Sequence, residues 1–492
     1  MTRFETWVKF QTTASWLLAG CALLSVVGTV DADDWTQFRG PNATGVYSGQ
    51  ESLPVEFSSE KNVKWSVQVG RGVACPVIAK GRAFMTWTTG KTAEDSRFVV
   101  GAFDAQTGKS LWKSEFPTGA LPDITSPNEH ASSTPATDGE RVYVHFSTIG
   151  LITLDAADGK LLWKYPLPPP FYLLGWGAAN SPILFEDMVL FNLDDDLNAY
   201  LLAVDKYTGR KRWYRPRPEM LGGYAVPVLC QADGRTDVVV AGSGKLKGYD
   251  PKTGRQRWTC NSLLRTIMTT PVVQGDTIYV SCQSYGDTSR VLKFALLQWR
   301  DTNQDGRLAK DELDKVFWKK FDKGDSDGDG FLVDDEIDKA FQAPSNMVGG
   351  GNIIQAIRGG GTGDVTKSHM RWNLDNKSPS NIASPLAFDG RLLLVKKGGI
   401  SASFGLADGK TVWTRKRIRN LGNYYASPVA GDGKVYVTGE NGYIIVLKSG
   451  PKPVVLAKND MGNSCVATPA IADGCLYIRT LDRLFCVSES GK

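Results

Sequence analysis

Two acidic stretches in the second half of the chain carry the side chains best suited to chemistry. They run from Asp301 to Glu312 and from Asp325 to Glu336. Each has oxygen-bearing side chains at positions 1, 3 and 5, glycine at position 6, an aliphatic residue at position 8 and glutamate at position 12. Ca²⁺ takes about six to eight oxygen ligands, and alternate residues of a coil direct such oxygens to one centre. The pattern therefore predicts two calcium sites.

This spacing matches the EF-hand loop, in which position 7 offers a backbone carbonyl and position 12 a bidentate carboxylate. Position 9 is Ala309 or Val333, which cannot ligate, so a water is expected there. Leu308 and Leu332 at position 8 are expected to pair the loops as a short β bridge. The predicted ligands are Asp301, Asn303, Asp305, Arg307 and Glu312 in the first loop, and Asp325, Asp327, Asp329, Phe331 and Glu336 in the second.

The segment around these loops reads as a small helical module. Apolar residues recur at helical spacing in 290–300 and again between the loops, which start 24 residues apart, so one helix is expected to serve both. Residues 301–340 hold 13 acidic and 7 basic side chains. Calcium is abundant outside cells, and a structural role is favoured over signalling.

An internal repeat organises the remainder of the chain. A proline preceded by Ser, Thr, Val or Cys opens each unit, at Pro76, Pro135, Pro182, Pro227, Pro271, Pro385, Pro428 and Pro469. The intervals run from 41 to 59 residues except for one of 114, which contains the two acidic loops. Several units close on Asp-x-x-Thr-Gly or a similar turn followed by tryptophan, as in AFDAQTGKSLW, ending at Trp112.

Each unit has the features of a four-stranded β meander. Runs such as RVYV and KVYV alternate β-branched and aromatic residues, and the Asp/Gly segment predicts a turn. The tryptophan after the turn is expected to pack against the next unit, and in the seventh unit residues near Val454 replace it. Units this small must stack radially to bury both faces.

The eighth unit ends without a tryptophan strand, and one such strand, Asn62–Val69, precedes the first unit. The N-terminal strand is therefore expected to complete the last blade and close the ring, which removes exposed edges. The preceding segment, 34–45, is expected to run as a loop under the ring. The fold class predicted is all-β: an eight-bladed β-propeller with four-stranded blades and a small α-helical insertion in blade five.

The repeat resembles the tryptophan-docking repeat of pyrroloquinoline-quinone-type propellers over about residues 60–492. That family includes quinoprotein alcohol dehydrogenases and the propeller lipoprotein of the outer-membrane assembly machine. In such rings, the residues ahead of each innermost strand face the central channel. The corresponding residues are Arg71, Glu129, His130, Asn180, Tyr224, Arg265, Asn381, Tyr424 and Asn463. The resemblance implies pyrroloquinoline quinone as a candidate cofactor there, but the vicinal disulfide of many such dehydrogenases is absent.

The N-terminus reads as an export signal. Arg3 and Lys9 precede an apolar run from Ala14 to Val30, and small residues follow at a cleavage position. Leu18–Cys21 also resembles a lipobox, so a lipid anchor at Cys21 stays open beside soluble release. Seven cysteines remain after Cys21, and an odd number leaves at least one free thiol.

These observations divide the chain into a signal peptide (1–32), a first propeller part (33–283), the EF-hand pair (284–351) and a second propeller part (352–492). Net charge is only +5, which argues against a nucleic-acid partner. No second stretch is long and apolar enough to span a bilayer. A periplasmic or extracellular monomer is expected.

The favoured function is a calcium-binding scaffold for protein or envelope partners, rather than an enzyme. Two alternatives stay open. One is a quinone-dependent dehydrogenase of alcohols or sugars, with Glu129 or a neighbouring residue as the base. The other is binding of extracellular polysaccharide by the aromatic residues of the channel mouth.

Overall fold

The computed structural model describes residues 34–489, with internal gaps. The gaps are residues 93, 173–174, 197, 221, 262–267, 286–295, 298–299, 314, 342–349, 376 and 378–381. The predicted signal peptide, the lipobox cysteine Cys21 and most of the helix expected at 290–300 therefore lie outside the described residues. So do the channel candidates Arg265 and Asn381.

Eight blade sheets follow one another along the described chain, seven of them with four antiparallel strands and one, in blade four, with a fifth strand paired in parallel, which confirms the predicted eight-bladed propeller. Their strands are β1 Val63–Gln68; β2 Val77–Ala79, β3 Arg82–Thr89, β4 Arg97–Asp104 and β5 Ser110–Pro117 (blade one); β6 Ala136–Thr137, β7 Arg141–Phe146, β8 Gly150–Asp155 and β9 Leu161–Tyr165 (two); β10 Ile183–Phe185, β11 Met188–Asp194, β12 Ala199–Asp205 and β13 Lys211–Pro216 (three); β14 Val228–Ala232, β15 Arg235–Gly242, β16 Lys245–Tyr249 and β17 Gln256–Cys260 (four); β18 Val272–Gln274, β19 Thr277–Tyr285, β22 Gly350–Arg358 and β24 Met370–Asp375 (five); β25 Leu386–Phe388, β26 Arg391–Lys396, β27 Ile400–Gly405 and β28 Thr411–Arg417 (six); β29 Val429–Gly431, β30 Lys434–Thr438, β31 Tyr443–Lys448 and β32 Val454–Asp460 (seven); β33 Ala470–Ala472, β34 Cys475–Arg479 and β35 Arg483–Val487 (eight).

The segment between β19 and β22 of blade five contains four further elements. These are β20 Leu308–Ala309, β21 Phe331–Leu332, α1 Trp318–Gly324 and α2 Asp334–Ala340. A two-residue strand, β23 Gly363–Asp364, follows β22. Short 3-10 turns occupy Pro41–Ala43, Lys310–Glu312, Lys315–Phe317 and Lys397–Gly399. The insertion thus interrupts one blade without breaking its sheet.

Ring closure follows the predicted route. Strand β1 pairs antiparallel with β35, with Trp65 opposite Cys486. The first strand of the fold thereby becomes the outermost strand of blade eight, whose order is β1-β35-β34-β33. Blade eight is therefore completed to four strands by the N-terminal strand.

Five of the blade junctions are held by a tryptophan that packs on the next blade, as the repeat predicted. The indole Nε1 donates to a carbonyl of the next blade's turn at 2.9–3.0 Å, and the ring lies over the glycine of that turn. A Cβ on that glycine would come within 2.4–2.9 Å of the ring. The pairs are Trp65 with Gly108, Trp112 with Gly159, Trp163 with Gly209, Trp213 with Gly254, and Trp372 with Gly409.

The other three junctions use different contacts. In blade four, the Trp258 indole donates at 2.7 Å to Asp237 of its own blade, and β23 of blade five pairs in parallel with β17. In blade six, the Trp413 indole faces Ser401 of its own blade at 3.3 Å, beside a crevice of about 30 Å³ between blades six and seven. In blade seven, Ala457 holds the tryptophan position, opposite Val446 where the register shifts. This corrects the expected position near Val454.

The N-terminal segment (34–59) crosses the end of the ring where the innermost strands finish, which confirms the expected path of 34–45. It pairs with Ile78 of blade one, Leu229 of blade four and Ala430 of blade seven. Its distal half packs Phe57 and Leu53 into the core shared by blades seven and eight. The Asn459 side chain on β32 accepts from the Phe57 N–H at 2.9 Å and donates to the Val55 carbonyl. The segment thus supplies the contact that blade seven lacks.

Among the described residues, no helix has both the length and the apolar character needed to cross a membrane.

Candidate functional site

The second acidic loop brings three carboxylates to one point. Ligand oxygens of Asp325, Asp327 and Glu336 all lie within 4.8 Å of one another. The Asp325 carboxylate accepts the N–H groups of Gly328 and Gly330 at 2.9 and 3.2 Å. The Glu336 carboxylate accepts the N–H and hydroxyl of Ser326, both at 2.8 Å. The loop is therefore wrapped around its own acidic side chains.

The first loop repeats the same hydrogen-bond pattern. The Asp301 carboxylate accepts from the N–H groups of Asp305 and Gly306 at 3.0 and 2.8 Å. The Glu312 carboxylate accepts from the N–H of Thr302 at 3.0 Å and from that of Ala309 at 2.9 Å. In each loop, the carboxylate at position 1 thus accepts hydrogen bonds from the bend, and the glutamate at position 12 connects the end of the loop to its beginning. Two unrelated acidic turns would not share this network.

The glycines at position 6 explain how each loop makes its bend. Gly306 and Gly330 have φ of 78° and 86°, the left-handed region that other residues avoid. Each bend carries the next residue outward. The Arg307 guanidinium hydrogen-bonds Asp305 at 3.1 Å and lies over the Phe331 ring at 4.2 Å, so the position-7 side chains stack on one another. That these two residues would offer a cation only their backbone carbonyls stays a prediction.

The bridge expected between the loops is confirmed. Leu308 pairs antiparallel with Leu332, and Ala309 with Phe331. Both leucines are fully buried. One two-stranded bridge therefore joins the two loops.

Backbone donors lower the pKa of two of the loop carboxyls, those of Glu336 and Asp305. The N–H of Ser326 is the main cause that holds the pKa of Glu336 below its ordinary value. The N–H of Arg307 does the same to the pKa of Asp305. Metal binding requires deprotonated carboxylates, so these bonds prepare the loops for a cation at neutral pH.

A small core attaches the loops to the propeller. Apolar side chains of the insertion form one buried cluster with Ala199 of blade three and Met220, which follows blade three. The insertion's members are Leu296, Leu308, Leu313, Phe317, Phe321, Leu332, Ile337, Ala340 and Phe341. The two β-bridge leucines belong to this cluster, so the loops stand on the propeller through their own core.

A ring of hydroxyls lies at the centre of the propeller, which the repeat pattern did not predict. At six of the eight opening prolines, the residue before the proline donates its N–H to the side-chain hydroxyl of the corresponding residue in the next blade, at 2.9–3.1 Å. The acceptors are Thr134, Ser181, Thr270, Ser384, Ser427 and Thr468. Two positions differ, Val226, which has no hydroxyl, and Cys75, whose sulfur is hydrogen-bonded by Thr468. The recurring Ser/Thr-Pro dipeptide was the signal that could have revealed this ring.

Above this ring lies a cavity of about 380 Å³, within the size range of small-molecule sites. The pre-proline ring and the aromatic residues Trp176, Tyr224 and Tyr425 contribute to its walls, and Phe38 of the N-terminal segment also lines it. The Tyr224 ring stacks on Tyr172 with centroids 4.7 Å apart. Burial raises the pKa of the Cys75 thiol, so this group faces the cavity as a neutral thiol.

The predicted channel residues do not converge. Tyr224 lines the cavity, whereas Tyr424 is buried in the core of blades six and seven, and its neighbour Tyr425 lines the cavity instead. Asn180 is fully buried and accepts from the Tyr172 hydroxyl at 2.7 Å. Asn463 is exposed and donates to Asp482 at 3.0 Å.

Arg71 and Glu129 form a bidentate ion pair, with both distances 3.2 Å. The Glu129 side chain is 15% exposed and the Arg71 side chain 68%. Burial lowers the pKa of the adjacent His130. The Arg71 guanidinium thus contacts both carboxylate oxygens of Glu129.

The cavity walls fit a charged quinone poorly. Pyrroloquinoline quinone carries several carboxylates and works beside Ca²⁺, so a site for it needs basic and acidic side chains. Among the described residues that line the cavity, none is charged. The described lining therefore does not suit this cofactor, and no catalytic step follows from it.

Comparison with known proteins gives matches of two kinds. A family model described as outer membrane protein assembly factor BamB matches residues 96–333. The protein of that name from Shewanella oneidensis is 25% identical over 51% of this chain and 63% of its own length. The one from Yersinia pestis is 24% identical over 58% of this chain and 68% of its own. The chain thus spans less than two thirds of the length of the first of these relatives.

Solved structures match over more of the chain. BamB from Moraxella catarrhalis has a TM-score of 0.54 at 13% identity, covering 86% of this chain and 96% of its own. Quinohemoprotein alcohol dehydrogenase from Comamonas testosteroni has a TM-score of 0.55 at 12% identity, covering 94% and 81%. At such identities the likeness concerns the fold alone. The resemblance inferred from the repeats is confirmed at that level.

Proposed function

We propose that this pyrroloquinoline-quinone-like propeller repeat protein is an exported scaffold that binds two calcium ions and protein partners of the cell envelope. The propeller would present the binding surface, and the inserted loops would hold the ions. Calcium would order the insertion against blade three rather than act in a reaction.

The convergence of Asp325, Asp327 and Glu336 within 4.8 Å carries the calcium proposal. A cluster of acidic groups alone would be weak support. Here both loops also share the same hydrogen-bond network, the left-handed glycine and the bridge between Leu308 and Leu332. Uncompensated carboxylates so close together repel one another, and a divalent cation removes that repulsion.

Two observations support the scaffold proposal. Relatives of similar sequence carry the name outer membrane protein assembly factor, and the matched region runs from blade one into the insertion. The central cavity, by contrast, has no charged residue among its described lining. A propeller whose described cavity lining is uncharged is better suited to protein contacts on its outer surface than to the oxidation of an alcohol in its cavity.

Calorimetric titration of the mature protein with CaCl₂ tests the calcium proposal. Two sites are expected, and Glu312→Gln and Glu336→Gln should each weaken one of them by about tenfold or more. Asp311→Asn and Asp335→Asn are matched controls, because position 11 is not a ligand in this loop. Equal calcium binding by all four variants, or none by the native protein, would contradict the proposal.

Cross-linking in an intact envelope tests the scaffold proposal. The native protein should yield discrete adducts with outer-membrane or periplasmic proteins, identified by mass spectrometry. Titration with pyrroloquinoline quinone in calcium-saturated buffer provides the opposing test. Stoichiometric binding with a new visible absorbance, and no envelope adducts, would favour the dehydrogenase alternative instead.

A further inference from the structure

The outermost strand of blade seven differs from those of the other blades. Strand β32 begins with Val454, Val455 and Leu456, which are 49%, 52% and 40% exposed. Successive residues of a strand point to opposite faces, so both faces of this edge carry apolar side chains. Strand β9 of blade two begins with only two exposed leucines, Leu161 and Leu162, at 43% and 39%, and β13 of blade three begins with Lys211 and Arg212. In β32 the first charged residue is Lys458.

An exposed apolar outer strand is a template for pairing. Its outer side presents N–H and C=O groups to solvent, and proteins usually block such edges with charge, proline or a covering segment. The N-terminal segment covers only the distal end of β32, through Asn459 and Asp460. The Val454–Leu456 end is not covered by that segment.

The propeller itself shows that an outer strand can accept a fifth strand. On blade four, β23 pairs in parallel with β17, joining Trp258 to Gly363 and Thr259 to Asp364. The blade sheet is therefore extended at its rim without disturbing the four strands inside it. On blade seven, the residues that correspond to Trp258 and Thr259 are Ala457 and Lys458 of β32, which directly follow Val454–Leu456.

Positive charge surrounds the open end of β32. Lys448, Lys452 and Lys458 are all exposed. In the part of the chain that the structure describes, none of the three forms an ion pair with a carboxylate, and Lys458 lies over the Tyr443 ring at 4.1 Å. A second copy would bring the same lysines against these, so like charge disfavours self-pairing. An acidic strand would instead gain both charge pairs and apolar contacts.

We infer that β32 binds an extended acidic segment of a partner protein by strand addition at Val454–Leu456. This inference rests on the proposed scaffold function and names one surface through which it acts. Backbone hydrogen bonds provide affinity that is independent of sequence, and the valines with the flanking lysines select alternating apolar and acidic residues.

Fluorescence anisotropy with labelled ten-residue peptides tests the inference on the intact mature protein. The probe alternates valine and glutamate. One control peptide has lysine in place of glutamate, and another has proline at two central positions, which removes backbone donors. The acidic peptide should bind saturably, and both controls should bind about tenfold more weakly or not at all.

Protein variants locate the site. Val455→Ser and Lys452→Glu should weaken binding of the acidic peptide by about tenfold and about fivefold. The matched control is Leu162→Ser, at an outer-strand leucine that is 39% exposed on blade two, and it should bind like the native protein. Thermal unfolding should be unchanged in all three variants, because each altered side chain is exposed.

Three results would overturn the inference: equal binding of the proline peptide, equal loss in Leu162→Ser, or no binding of the acidic peptide. Self-association that Val455→Ser abolishes would also overturn it, by making a second copy the occupant. Envelope adducts that persist in Val455→Ser would leave the scaffold proposal intact while removing this surface from it. If the native protein forms no envelope adducts, that result would instead contradict the scaffold proposal.

Discussion

The junction between blades two and three and the junction between blades seven and eight solve the same packing problem differently. At the first, Trp163 lies over Gly209 and donates to the Lys206 carbonyl at 3.0 Å. At the second, Ala457 replaces the tryptophan, and Phe57 and Leu53 of the N-terminal segment fill the shared core. One junction is held by a local repeat feature and the other by a segment about 400 residues distant in sequence.

The difference shows that the tryptophan holds a junction only where the next blade offers a site for the indole. That site is a tight turn with glycine in the next blade. Blade five has a long turn in place of that motif, and Trp258 of blade four accordingly turns to Asp237 of its own blade. Blade eight is closed by β1, so no third-to-fourth-strand turn exists to receive a tryptophan from blade seven.

Replacing Trp163 by alanine is expected to give the largest effect. The indole is 9% exposed, and its loss removes a buried aromatic ring and a hydrogen bond, at a cost of about 4 kcal/mol in unfolding free energy. Trp413→Ala is the control at a junction without a docked tryptophan and should cost about half as much. Denaturant unfolding followed by tryptophan fluorescence and circular dichroism measures both. Equal losses would mean that docking adds nothing to burial.

Phe57→Ala tests the opposite arrangement, the junction held by the N-terminal segment. The side chain is 3% exposed, and its removal should cost about 3 kcal/mol. The loss should be local: hydrogen exchange should accelerate in β32 and β35 while β9 and β13 keep their protection. Uniform acceleration around the ring would show that the segment stabilises the propeller as a whole and not this junction.

Gly209→Ala examines the turn half of the pair. A Cβ there would meet the Trp163 ring at 2.6 Å, in addition to the strain of φ at +68°. Gly234→Ala is the matched control, with φ at +70° and nothing within 4 Å. Both share the backbone cost, so the difference of about 2 kcal/mol measures the lost ring contact alone. Equal melting temperatures for the two variants would argue that the ring moves aside freely.

His145 adds a smaller, pH-dependent effect at the docked junction. Its ring packs on Phe191 of blade three at 4.5 Å, and burial lowers the pKa to about 3. The unfolded chain takes up this proton near pH 6.5 and the folded one does not, so stability falls as pH drops below about 6.5. Between pH 7.5 and 5.5 this group should account for about 1.4 kcal/mol. His145→Gln should reduce the slope of stability against pH by that amount, whereas His369→Gln, at a partly exposed histidine whose pKa burial lowers to a smaller extent, should reduce the slope by less.

Much of this architecture follows from the order of the residues along the chain. The opening prolines counted eight blades, the orphan strand ahead of blade one predicted closure, and the acidic spacing predicted the bridge between Leu308 and Leu332. Each of these depends on residues close in sequence, or on a repeat that samples the same geometry many times.

The cavity lining depends much less on local sequence. Tyr424 and Tyr425 are adjacent and chemically alike, yet only Tyr425 lines the cavity. The direction of a loop side chain depends on how the loop leaves the previous strand, which periodicity does not encode. The hydroxyl ring was visible as a recurring Ser/Thr ahead of proline, but its meaning required the blades to be placed side by side.

The amino-acid sequence by itself determined the blade count, the order of closure and the side chains available to a cation, because local propensity and spacing set those features. The tertiary structure decided which tryptophans dock, which segment replaces a missing one, and which strand edge stays open. Those outcomes are contacts between distant residues, such as Arg39 with the Pro385 carbonyl, 346 positions away. Such a contact forms only when the fold brings both residues together, so the local sequence around either residue does not predict it.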